Sequence, residues 1–371
     1  MNFDFSDDQK LLQQTARDYL AENSPLAVCR EILEGDEPYK KQLWAGAAEM
    51  GWLGTVIPEE YGGAGFGHLE LAMIAEEVGR ALAPIPFGPS VYFATEALIK
   101  AGSDEQKQQY LPKLASGEAI GTFALTEKPG QNGVEAIAAK VSGGKLSGTK
   151  LPVSDGDVAD FAVVAALGDK GLSLYLVDLD ADGVARKAIQ SFDPSRSVAR
   201  IDFDGAACEL LGEEGRGAEL TAQLLDRAAV LMAFEQVGAA QACFDGTKEF
   251  TQGRYAFGRP VASFQAIKHR LADMWCELEL ARSNAYYGAW ALSGEEPELP
   301  VAACIARIQA TEALDLISEE MIQMHGGVGF TWEYDCHLFY RRAKALGHAL
   351  GSLNSWKDRL IDRIDTDQDE D

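Results

Sequence analysis

The sequence of 371 residues predicts a mainly α-helical protein with a central β domain. Three changes of pattern carry that prediction. Apolar residues recur at helical spacing over 1–118, short apolar runs broken by turn residues fill 119–214, and long proline-poor stretches return over 215–371. The expected domains are an N-terminal α-helical domain, a small antiparallel β-sheet or barrel, and a C-terminal antiparallel four-helix bundle with an acidic tail.

Each block has its own signals. Ser6 and Gln9 have capping-box spacing at a helix start. Leu71, Ile74, Ala75, Val78 and Leu82 form one buried helical stripe, which Pro84 and Pro86 then stop. The glycine-rich run Pro58–Gly67 lies between helices. It lacks the GxGxxG spacing and the preceding strand of a dinucleotide fingerprint, so it reads as a surface turn. In the middle block, 119–125, Phe161–Leu167 and Leu172–Asp178 read as strands, with a turn at Ser142-Gly143-Gly144. The last block holds helical stretches from Leu220 to Thr251, Ser263 to Leu292 and Pro300 to Met324, Pro300 standing at a first helical turn. Asp365–Asp371 reads as a solvated, disordered end.

Composition removes several function classes. The formal charge of −25 argues against nucleic acid, which needs a basic face. No apolar run reaches the ~18 residues of a membrane span. The N-terminal segment lacks the basic and apolar regions of a signal peptide, so a cytoplasmic protein is expected. Six scattered cysteines show no zinc spacing and read as reduced thiols, and no metal site is expected. GxSxG, HExxH and GxxxxGK[ST] motifs are absent from the sequence, so any chemistry is expected to come from an organic cofactor.

Two C-terminal segments can build an anion site. Arg254-Tyr-Ala-Phe257-Gly258, followed by Phe264-Gln265, joins two long helices and places a cation, an aromatic ring and an amide at one bundle end. Gln323-Met-His325-Gly326-Gly327-Val-Gly329 ends another helix, where bare glycine N–H groups can cradle a pyrophosphate. Read from residue types alone, both are equally a helix–loop–helix turn and a glycine cap. His325 and His337 read as capping or surface residues.

With Phe123-Ala-Leu-Thr126-Glu127, these segments stand in the order of the signatures of the acyl-CoA dehydrogenase family, which the chain resembles over essentially its whole length. The resemblance implies an FAD-dependent, usually tetrameric oxidoreductase whose flavins are each shared between neighbouring subunits. It implies Thr126 and Ser154 near the isoalloxazine ring. It implies Arg254, Phe257, Gln265, Gln323, Gly326 and Gly327 at the ADP half of a flavin in the adjacent subunit. The implied reaction oxidises an acyl-CoA to its trans-2-enoyl product. A carboxylate removes the α-proton, the β-hydrogen leaves as hydride, and electrons pass to an electron-transferring flavoprotein.

The sequence departs from the family where the base belongs. The commoner position holds Leu350, and the alternative falls at Ala228 or Ala229. Glu235 is seven residues further along that helix, on nearly the same face but roughly 10 Å away. Asp226 is nearer but on a different face. No catalytic residue is therefore expected in this chain. The family's Gly-Ser-Asp is replaced by Gln131-Asn132-Gly133, and its Trp-Ile-Thr by Pro152-Val153-Ser154. Arg282, Arg341 and Arg342 are candidates for a local basic patch toward CoA.

The leading expectation is a subunit of a heteromeric α2β2 acyl-CoA dehydrogenase that works with a base-bearing partner. His325–Leu338 resembles the version of the last signature found in enzymes of steroid side-chain degradation. A self-sufficient homotetramer using Glu235, and a non-catalytic binding or scaffolding homologue, are the alternatives.

Overall fold

The computed structural model describes residues 6–130 and 133–368, and these residues form eleven α-helices, one eight-stranded sheet and a short hairpin. In chain order the helices are α1 (Asp7–Asn23), α2 (Leu26–Glu34), α3 (Lys41–Glu49), α4 (His68–Arg80), α5 (Glu96–Ala101), α6 (Asp104–Ala115), α7 (Gly217–Gly253), α8 (Gln265–Gly294), α9 (Leu299–His325), α10 (Cys336–Ala349) and α11 (Leu353–Gln368). The strands are β1 (Gly121–Ala124), β2 (Lys140–Ser142), β3 (Lys145–Ser154), β4 (Phe161–Gly168), β5 (Gly171–Asp178), β6 (Val184–Ala188), β7 (Val198–Ala207), β8 (Glu209–Leu211), β9 (Tyr255–Ala256) and β10 (Arg259–Pro260). The mainly α architecture with a central β part is as expected. The residues divide into two compact units: 1–31, 68–83 and 229–371 in one, 32–67 and 84–228 in the other.

The first unit is helical. Ser6 caps α1 as its spacing predicts, its Oγ accepting from Gln9 N at 3.2 Å while Gln9 Oε1 accepts from Ser6 N at 3.0 Å. Leu71, Ile74, Ala75 and Val78 form the expected buried stripe on α4, but the helix ends at Arg80, so Leu82, also buried, lies beyond it at φ 47° rather than on the stripe. Helix α4 meets α7 through glycine: a Cβ on Gly79 would stand 1.8 Å from Glu235 O, and one on Gly238 1.8 Å from Glu76 O. That close crossing buries Glu76 and Glu77. Arg282 of α8 pairs with Glu76 at 2.5 Å, and Arg17 of α1 with Glu77 at 2.8 Å. The tail corrects one expectation, because α11 continues to Gln368 rather than fraying from Asp365. Arg363 anchors this helix, donating to Pro300 O and to Cys304 Sγ at 3.1 Å. Residues 369–371 of the predicted disordered end lie outside the described residues.

The second unit holds the sheet, in the order β6-β7-β3-β2-β4-β5-β8, with β1 beside β4. Most pairs are antiparallel, but β1 runs parallel to β4, and β2 joins β4 in parallel through one residue pair. The Ser142–Gly144 turn closes the β2–β3 hairpin as expected. A π-helix, Gly88–Thr95, was not foreseen: its residues are all buried and uniformly apolar or small, so no face-to-face contrast marks its period. Its Phe93 ring stacks on Phe123 of β1 at 5.0 Å. Gly63, in the glycine-rich turn, leaves no room for a Cβ, which would lie 2.0 Å from Ile57 O. That glycine serves packing.

Glu127 of the β1 signature is a clasp. It accepts from Ala138 N at 2.8 Å and Ala139 N at 2.9 Å, and pairs at 2.9 Å with Lys150, whose side chain is completely buried. Burial works to raise the Glu127 pKa, but those N–H groups and the ammonium outweigh it and hold the carboxyl below its ordinary range. A depressed carboxyl contributes stability that is present above its unfolded pKa and is lost as pH falls through the folded value. Glu127→Ala strands a buried ammonium and is expected to cost about 3 kcal/mol at neutral pH. Urea unfolding at pH 7 and at pH 4 checks this, with a smaller difference from wild type at the acid pH.

Candidate functional site

At one end of the helical unit the two C-terminal signatures come together. The Phe250 ring near the end of α7 stacks on His325 at the end of α9, centroids 4.0 Å apart. Arg254 follows four residues on, its N–H donating to Phe250 O at 2.8 Å. His325 is itself structural: its Nδ1 lies 2.7 Å from Met321 O, and burial pushes its pKa down.

Between α7 and α8 the chain makes the β9–β10 hairpin, with Phe257 at φ 51° and Gly258 at φ 78° in its turn. Two successive positive φ values are those of a type I′ turn, where a phenylalanine is an unfavourable occupant. The Phe257 ring is 96% exposed. Arg259 lies 3.9 Å over the Phe264 ring and firms the base of the hairpin. Gln265 then opens α8, and Gln323 precedes the glycine turn. All six candidate residues here, Arg254, Phe257, Gln265, Gln323, Gly326 and Gly327, are exposed. A Cβ on Gly326 or Gly327 would meet nothing within 4 Å. These residues offer a guanidinium, two amides, bare backbone and an aromatic face, all exposed. Phe330, 80% exposed, with Trp332 and Tyr334, extends the apolar surface beside it.

The remaining two candidates lie in the sheet unit. Leu151 N donates to Thr126 O at 2.8 Å, and Thr122 Oγ1 donates to Ser154 O at 2.7 Å. Thr126 and Ser154 therefore stand at opposite ends of a short β1–β3 alignment, four residues or about 13 Å apart along the strand. Both are half-buried. Gln131 and Asn132 lie outside the described residues.

The candidate base positions carry no free carboxylate. Leu350 ends α10 and is 6% exposed, its carbonyl accepting from Trp356 Nε1 at 3.0 Å. Ala228 and Ala229 are buried. Glu235 is fully buried, its Oε1 4.0 Å from Arg342 Nη1. Asp226 is also buried, next to Arg227, which pairs with Glu96 at 2.6 Å.

Sequence reasoning missed Arg307. Buried on α9, it donates to Gln236 Oε1 at 2.9 Å, to Gly347 O at 3.1 Å and to Leu346 O, tying the last carbonyls of α10 just before Leu350. A cation there complements the helix dipole. Burial pushes its pKa down to about 10. No sequence signal marks this role, since the partners are 39 to 71 residues away.

Two arginines expected toward CoA are taken by partners within the protein. Arg342 is buried and donates to Leu82 O at 3.3 Å. Arg282 is held by Glu76 and by Gln241 at 2.7 Å, with its pKa raised, because the carboxylate outweighs burial. Arg341 lies 5.4 Å over Trp332, and the Trp332 ring also stacks on His337.

Comparison with known proteins identifies the family. Residues 6–118 match the family model described as acyl-CoA dehydrogenase, N-terminal domain, and residues 215–364 match acyl-CoA dehydrogenase, C-terminal domain. The acyl-CoA dehydrogenase IpdE2 of Mycobacterium tuberculosis is 32% identical over 96% of this chain and 98% of its own length. Among solved structures, a chain of the Tcur3481-Tcur3483 steroid ACAD superimposes with a TM-score of 0.89 at 29% identity. It is covered over 99% of its length by 98% of this chain. A chain of the ChsE4-ChsE5 complex from Mycobacterium tuberculosis gives 0.87 at 28% identity, with the same coverage. No helix among the described residues is long and apolar enough to cross a membrane.

Proposed function

From the premise that this chain belongs to the acyl-CoA dehydrogenase family, we propose that it is a flavoprotein subunit lacking its own catalytic base and working in a mixed assembly with a base-bearing partner of the same family. The observation that carries this is the apolar, buried Leu350 at the commoner base position, with Glu235, the other candidate, fully buried and 4.0 Å from Arg342. A base must reach the proton it abstracts within about 3 Å. Full burial of Glu235 beside Arg342 disfavours the self-sufficient alternative with Glu235 as base.

The donor set at the bundle end fits the ADP half of FAD. Arg254 can pair with a phosphate, the Gly326-Gly327 backbone admits close approach, Gln265 and Gln323 offer amides, and Phe257 offers a stacking face. A scaffold that had lost redox chemistry has no use for such a cradle. Its exposure suits a cofactor completed by a neighbouring subunit, with Thr126 and Ser154 serving the ring side. FAD, when bound, supplies the hydride acceptor. This chain's residues bind and orient; the α-proton goes to a carboxylate on the partner, and electrons leave to an electron-transferring flavoprotein.

Three expectations belong to the same reading: division at 1–118, 119–214 and 215–371, a cytoplasmic location, and acyl-CoA esters of steroid side chains as substrates. The last draws on the steroid ACAD named among the solved structures. Anaerobic titration with acyl-CoA thioesters tests the proposal. The chain alone is expected to leave its flavin oxidised, and the chain assembled with a base-bearing partner to bleach it.

A further inference from the structure

The segment between β6 and β7 carries a polar cluster that the reaction scheme leaves unused. Asp155 follows Ser154 directly and has φ 51°, a left-handed conformation costly for a residue other than glycine. Its N–H donates to Ser197 O at 2.9 Å. The Ser197 hydroxyl lies 3.2 Å from Asp155 Oδ1 and 2.6 Å from Asp157 Oδ1. Arg196 Nε stands 4.0 Å from Asp155 Oδ2. Asp193, also buried, orders the loop that delivers this arginine: its carboxylate accepts from Ser195 N at 3.1 Å, and its carbonyl from Arg196 N at 3.1 Å. The far side of the guanidinium faces Gly88, the first residue of the π-helix, where a Cβ would stand 3.4 Å from Arg196 Nη2.

One largely buried cation thus joins the strained end of β3 to the start of the π-helix. That helix packs on β1 through Phe93 and through Ser90, whose Oγ accepts from Gly121 N at 3.3 Å. Single-turn π segments occur frequently at functional sites, and stored backbone strain clusters there too.

We propose that Arg196 is a positioning residue, which through Asp155 and Ser197 holds the turn that aims Ser154. This rests on the reading that Ser154 lies on the ring side of the flavin. The Ser154 carbonyl is already taken by Thr122, so its orientation follows the turn after it. Removing the guanidinium takes away the cation that stands between the carboxylates of the turn after β3 and the β6–β7 loop carrying Asp193. Lysine restores the charge but not the planar fork.

The test uses the full-length chain reconstituted with FAD, as wild type, Arg196→Met, Arg196→Lys and Ser197→Ala, reading the FAD dissociation constant, the flavin absorption band and the melting temperature. Arg196→Met is expected to weaken FAD binding about tenfold and to shift the band, and Arg196→Lys to recover most of the affinity. Ser197→Ala, which deletes one hydroxyl, is expected to shift the band with little change in melting temperature, a split that a merely structural loop would not give. Unchanged affinity and an unchanged band in both Arg196→Met and Ser197→Ala would overturn the role. A wild-type chain that takes up no FAD, alone or with a partner, overturns the cofactor reading itself and this role with it.

Discussion

Leu350→Glu is expected to give the isolated chain a base it does not have, raising exchange of an acyl-CoA α-proton with deuterated solvent by about 10²–10⁴-fold, the usual worth of a positioned general base. The elbow is already built to hold such a group. Arg307 ties the Leu346 and Gly347 carbonyls, and Trp356 holds the Leu350 carbonyl, so the new side chain would start from a fixed backbone. The low exposure of this position would raise the carboxyl pKa, as suits a base facing a weak carbon acid. Exchange should therefore rise with pH through that raised value and level off above it. Glu235→Gln is expected to leave exchange in the Leu350→Glu background unchanged, because Glu235 serves Arg342. Exchange in the variant no faster than in wild type would mean that position 350 does not face substrate.

Gly238→Ala is expected to be, with Gly79→Ala, among the most damaging single-atom additions in the helical unit, costing about 3 kcal/mol or more. The added Cβ would stand 1.8 Å from Glu76 O and 2.9 Å from Arg80 N. Both are backbone atoms, so no side chain can swing away and the helices themselves must part. Parting them would also disturb the 2.5 Å pair between Glu76 and Arg282. Gly246→Ala on the same helix is the control: its Cβ would meet only Met321 Cε at 3.6 Å. There the gain in helix propensity, about 0.8–1 kcal/mol, should dominate. Urea unfolding of both variants separates them, and equal stabilities would contradict the close crossing.

What the sequence made legible depended on how local the cause was. The Ser6–Gln9 box, the α4 stripe and the β2–β3 turn are each set within a few residues, and each stands where its spacing placed it. The π-helix was illegible because a segment apolar on every side has no contrast to reveal its period. The parallel partnership of β1 with β4 depends on residues some forty positions apart. The same holds at the candidate site. The two bundle-end signatures were visible as spaced motifs, but the Phe250–His325 stack that brings them together was not. Arg282 and Arg342 read as available cations, yet their carboxylate partners stand on other helices. Arg307 and Arg196 act through carbonyls and carboxylates that no spacing rule connects to them.

The most direct test of a base-less flavoprotein subunit is anaerobic titration of this chain, purified alone and loaded with FAD, against acyl-CoA thioesters of several sizes. Absorbance is followed near ~450 nm, the flavin band. The band is expected to stay oxidised for every thioester and to bleach once a base-bearing family partner is added. Bleaching by the chain alone would contradict it, showing that a carboxylate within this chain removes the α-proton and returning Glu235 to first place among candidates.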